Sequence, residues 1–129
     1  MNVVTTAALV QVVISLAVVV FQLALAAGAP WGEYTMGGQN KGRLPRLLRI
    51  GATVSAVIML AQAGHYLAQA GVLPPLLDPS GSNVVNWIWF GFSIAGLIVN
   101  SISRSKKERK TWVPVLLASA TCTLLVALN

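Results

Sequence analysis

Charge is what this sequence has least of. Only 9% of its 129 residues are Asp, Glu, Lys or Arg, against about 25% in an ordinary soluble domain. The shortage is uneven. Charges stand at Glu33, at Lys41, Arg43, Arg46 and Arg49, at Asp78, and between Arg104 and Lys110. The stretches 1–32, 50–77, 79–103 and 111–129 carry none. A helix that spans a bilayer needs roughly 17–25 mostly apolar residues, and each stretch can supply one.

Other absences exclude chemistry. Cys122 is the one cysteine, so there is no intrachain disulfide and no C-x-x-C pair for dithiol exchange. It reads as a small core residue. His65 is the one histidine, and a metal site needs more ligands than that; only a second copy of the chain could offer another His65 to a haem. No Walker pattern and no G-x-G-x-x-G is present. No cofactor is expected. No acidic residue falls in a charge-free stretch, so a proton relay through the spans has no carboxylate to use.

What is there is apolar. Hydrophobic residues make up 56% of the chain. The spans are expected at about 3–27, 46–70, 84–102 and 112–128, with span 3 able to continue as helix into the basic segment Arg104–Lys110. The sequence Ala24–Ala29 resembles a signal-peptidase site, but no Lys or Arg precedes the apolar run, which is also too long for a signal peptide; a retained helix is expected. Residues 28–45 hold five glycines and two prolines and predict a structured, incompletely helical loop. Pro74, Pro75, Pro79 and Gly81 predict an irregular second loop. Pro45-Arg46-Leu47-Leu48 and Pro114-Val115-Leu116-Leu117 each follow a basic region, a faint hint of two parallel hairpins.

Two signals orient the chain. All nine Lys and Arg lie in or beside the loops after spans 1 and 3, which share one side of the membrane. The positive-inside rule makes that side cytoplasmic. Trp87 and Trp89 then fall at the outer interface, and Trp31 and Trp112 at the inner one. The fold class is therefore all-α: a single-domain, integral membrane four-helix bundle with both termini outside and two basic loops in the cytoplasm. The net charge of +6 follows from topology, and a nucleic-acid partner is not expected.

Polar residues within spans mark the buried faces. Gln11, Ser15 and Gln22 share a stripe in span 1; Gly51, Ser55, Gln62 and Gln69 do so in span 2, with His65 beside them. Asn86, Ser93 and Asn100 repeat every seven residues in span 3, and span 4 offers Ser119, Thr121 and Thr123. Gln22, Gln62, His65 and Asn100 are the candidate intramembrane seam, read either as helix–helix glue or as a polar pathway. Arg43, Arg46, Arg49, Arg104 and Arg109 are candidate contacts for anions or anionic lipid. Ser105 and Glu108 have capping-box spacing.

Two blocks carry a resemblance. The first is Gly28-Ala29-Pro30-Trp31-Gly32 with Gly37-Gly38, Gly42, Leu44-Pro45 and Arg49. The second is Asn100, Ser103-Arg104-Ser105, Glu108-Arg109, Trp112 and Pro114. Together they resemble a set of small four-span bacterial membrane proteins without an assigned activity. The resemblance implies a bacterial cytoplasmic membrane and brings no substrate, cofactor or catalytic residue. The expected function is a structural, accessory or partner-binding subunit, in contact with membrane lipids and with a second copy or a membrane protein as possible partner. An oligomeric small-solute transporter or channel is the alternative. A lipid head-group enzyme using Glu33 and Glu108 is the third reading.

Overall fold

The structure is a computed structural model and describes residues 2–129. Four long helices follow one another: α1 (Val3–Ala27), α2 (Arg46–Gln69), α3 (Pro79–Ser101) and α4 (Lys106–Ala127). No strand occurs among the described residues. Each helix is long and apolar enough to cross a membrane, and the chain is a multi-pass membrane protein. Outward side chains such as Val13, Val20, Leu47 and Val57 are more than half exposed, as lipid-facing residues should be.

The helix ends follow from local chemistry. Asn2 caps α1 by accepting from the Thr5 amide at 2.8 Å. Gly28 ends it in the left-handed region at φ 102°. Paired bonds from Gly28 N to Leu25 O and from Ala29 N to Ala24 O complete the glycine stop.

Two boundaries differ from the sequence expectation. Helix α3 starts at Pro79, not near Val84. Asp78 accepts from the Gly81 amide at 2.9 Å, and Pro79 occupies the first turn, where its missing N–H costs nothing. The proline that reads as loop punctuation is a helix start. Helix α4 starts at Lys106, not at Trp112. Ser105 caps it, taking the Glu108 amide at 3.2 Å, while the Ser105 amide itself donates to Ser103 Oγ. The basic segment therefore belongs to α4 and does not prolong α3, which stops at Ser101. Pro114 lies inside α4, about two turns in, so its likeness to Pro45, the residue before α2, does not extend to position. Helix α4 has 22 residues, and the basic turn before Trp112 extends it beyond the apolar stretch.

Helix α1 packs along α2, α3 packs along α4, and α1 against α4 joins the two hairpins. Helices α2 and α3 barely meet. Both termini and the 70–78 loop lie at one end, here the far end; the 28–45 and 102–105 loops lie at the other, the basic end. The first loop contains two short 3-10 turns, Gly32–Tyr34 and Met36–Gly38. Gly32 N donates to Gly42 O at 2.8 Å. A Cβ on Gly32 would overlap the carbonyl oxygens of Asn40 and Gly42, so this crossing of the loop requires glycine.

Candidate functional site

A buried polar network crosses the middle of the bundle. Gln11 and Ser15 on α1 are fully buried, as is Gln62 on α2. Gln62 Oε1 accepts from Gln11 Nε2 at 3.1 Å and from Ser15 Oγ at 2.6 Å. Ser119 Oγ on α4 donates to Gln11 Oε1 at 2.9 Å. The hydroxyls of Ser93 on α3 and Ser119 lie 3.1 Å apart, and Ser93 Oγ also lies 3.1 Å from Trp89 O in its own helix. One chain of polar contacts thus runs through all four helices. Such bonds are worth about 0.6–2 kcal/mol each in a membrane, and an unmet amide there costs more.

On the far side of this network the bundle is closed. His65 Nε2 donates to Asn86 Oδ1 at 2.7 Å, and Asn86 Nδ2 donates to Gln69 Oε1 at 3.0 Å. This bridge ties α2 to α3. Ala7, Ala8, Val12, Tyr66, Cys122 and Val126 pack as a core beside it. The Tyr66 hydroxyl is the one fully buried side-chain polar atom without a hydrogen-bond partner among the described residues.

On the basic side of the network the bundle opens into a cavity of about 410 Å³ lined from all four helices. Its walls include Ile14 and Val18 from α1, Met59 from α2, Gly96 from α3 and Leu116 from α4. Ile58, Phe92 and Val99 line it and are still 42%, 48% and 61% exposed. The mouth therefore lies between α2 and α3, toward the lipid. Tyr34, Thr35, Met36 and Gly37 close the basic end. Met36 holds a positive φ of 52°, uncommon for a residue with a side chain.

That closing loop is clasped to α4. Trp112 Nε1 donates to Tyr34 O at 2.8 Å, and Ser105 Oγ donates to Glu33 O. Lys107 Nζ pairs with Glu33 Oε2 at 2.8 Å, the only ion pair among the described residues. The Lys107 ammonium holds the Glu33 carboxyl below its ordinary pKa. Phe21 lies between Trp31 and Trp112, with ring centroids 6.1 Å and 4.7 Å away.

The candidate residues of the sequence fall into separate places. Gln22, Gln62 and Asn100 all line the cavity. Gln62 has its carbonyl in the network, while its Nε2 makes no bond among the described residues. Asn100 donates to Gly96 O in its own helix. His65 belongs to the far bridge and not to the cavity. The five arginines do not converge. Arg49 Nε donates to Ala26 O at 2.9 Å, and Arg109 donates to Ser103 O; each ties down a helix end. Arg43 lies against Gly28, and Arg46 is exposed at the start of α2. Only Arg104 of the five lines an open cleft on the basic face, where the other cations are Lys41, Lys106, Lys107 and Lys110.

Glu108 is the residue that sequence reading placed in a loop. It is 6% exposed and lines the cavity. Glu108, Trp112, Val115, Ser119, Cys122 and Val126 recur at alternating spacings of four and three, one helix stripe. Carrying the helix back to its Ser105 cap would have put the carboxylate on the inward face. No group of three or more His, Cys, Asp or Glu able to hold a metal occurs among the described residues.

No known family model, curated protein or solved structure matches this chain. The cavity and its lining are what a functional reading can draw on.

Proposed function

We propose that this protein is a binding or carrier protein for a small amphipathic molecule, which enters the four-helix cavity sideways from the bilayer between α2 and α3. The observation that supports it most is the position of the cavity. It has an apolar wall, a few polar groups, and a mouth flanked by exposed Ile58, Phe92 and Val99. Ligand sites are commonly concave and mostly apolar, with a few polar groups that orient the guest.

The basic face is the cytoplasmic one in this reading, and the membrane is the cytoplasmic membrane of a bacterium. The positive-inside rule and the resemblance to small four-span bacterial proteins both favour that placement. The exposed cations there lie against anionic lipid at about 1 kcal/mol each. An accessory-subunit role draws its support from the buried Gln11–Gln62–Ser119 network, which acts as glue. Glue alone gives no reason for the lower bundle to stay open. A lipid head-group enzyme is disfavoured: Glu33 is paired with Lys107 and opens onto the basic cleft, while Glu108 opens onto the cavity.

A photoactivatable amino acid at Met59, inside the cavity, tests the reading in native membranes. Mass spectrometry should recover a selected small molecule or lipid species. The same group at outward-facing Val57 should recover bulk lipid. If both positions capture bulk lipid in the same proportions, the cavity is only a crevice filled by acyl chains.

A further inference from the structure

We infer that the cavity selects organic cations: amphipathic amines, quaternary ammonium or phosphonium compounds, held by the Glu108 carboxylate and by aromatic faces. The inference rests on the cavity being a binding site and names its ligand class.

Three observations carry it. First, Glu108 is buried at 6% exposure and faces the cavity, yet no donor hydrogen-bonds to its carboxylate and no cation pairs with it among the described residues. The residue is sheltered while its carboxylate oxygens stay accessible from the cavity, and a cation entering there is the partner such a carboxylate lacks.

Second, the nearby cations are committed elsewhere or point away. Lys107 pairs with Glu33. Arg109 donates to Ser103 O. Lys106 and Lys110 line the outer cleft instead. Glu108 is the one charged residue in the cavity lining.

Third, Phe21, Tyr34, Phe92 and Trp112 line the same space. Aromatic faces attract cations most strongly where water is excluded. A single carboxylate ringed by aromatic and aliphatic walls suits a greasy cation and repels an anion of the same shape. The surface lysines do not reverse this preference. They line the outer cleft on the basic face, while the mouth faces lipid between α2 and α3.

The test uses two probes of nearly equal shape and opposite charge, tetraphenylphosphonium and tetraphenylborate. Binding is measured to the full chain in nanodiscs of phosphatidylcholine, with empty nanodiscs subtracted. Tetraphenylphosphonium should bind saturably at one site per chain, and tetraphenylborate should not compete. Glu108→Gln should weaken the phosphonium by roughly tenfold or more, and Glu108→Asp should retain most of the binding. Phe21→Leu should weaken it by roughly threefold. Glu108→Gln must remain monodisperse with an unchanged melting point; should it misfold, Phe21→Leu and the preference between the two probes decide.

Equal binding of both probes, tighter binding of the borate, or an indifferent Glu108→Gln would overturn the inference. If the phosphonium fails while Met59 still captures a selected molecule, the ligand class is wrong and the cavity reading survives. If Met59 also captures nothing selective, both fail together.

Discussion

The two halves of this bundle use the same four helices in opposite ways. In the far half, Asn86 receives His65 and reaches Gln69, joining α2 to α3, and Tyr66 fills the space behind with no exposure at all. In the basic half the same two helices part, and their facing residues Ser55, Ser93, Gly96 and Asn100 border an open cavity. Small residues permit close helix approach; here they line a gap because no side chain bridges it. The difference shows what holds a membrane bundle closed. Apolar surface gains little by leaving lipid for protein, so shape fit and hydrogen bonds decide where helices touch. Where the amides meet, the seam is shut. Where they are satisfied within their own helix, as Asn100 is by Gly96 O, the seam stays open.

The largest expected effect comes from cutting the network that separates the halves. Gln62→Leu strips Gln11 Nε2 and Ser15 Oγ of their shared acceptor and should destabilise the protein by about 2 kcal/mol. The check is thermal unfolding in detergent. A Gln62→Leu protein as stable as its parent would mean that the network contributes little to holding α1 against α2.

A smaller effect is expected from unlocking the far half. Asn86→Leu removes the α2–α3 bridge and should cost about 1 kcal/mol. It should also make the far half resemble the basic one: a spin-label pair on outward positions of α2 and α3 should report a broader distance distribution at the far end. An unchanged distribution would show that packing around Tyr66, and not the amide bridge, closes that seam.

The smallest effect concerns the loop that seals the cavity. Glu33 is half-buried on the basic face, and Lys107 lowers its carboxyl pKa. A carboxyl depressed on folding stabilises above the unfolded value and loses that contribution as pH falls through the folded one. Protection of residues 31–42 from hydrogen exchange should therefore be flat between about pH 7 and 5, and should decline below about pH 4, the ordinary glutamate range. Glu33→Gln should remove the pH dependence. A Glu33→Gln protein that keeps the decline would show that another group closes the loop.

Much of the fold was legible. Uncharged runs gave four helices, and the amides at Gln11, Gln62 and Asn86 marked inward faces because an unpaired amide is unfavourable in lipid. The misjudged boundaries were at Pro79 and Lys106. A proline is a breaker within a helix and an asset in its first turn, and which role applies depends on the Asp78 cap. A run of lysines reads as loop because charge avoids lipid, yet a helix can begin in the interfacial water and carry such a run into the membrane.

By itself the sequence determined how many times the chain crosses and which end is basic, because insertion depends on apolarity summed over about twenty neighbouring residues. It could not determine that Glu108 turns inward, that Lys107 is held by Glu33, or that α2 and α3 part below Gln62. Those depend on the rotational phase of each helix and on which helices pack together, and residues as far apart as Gln11 and Ser119 set both.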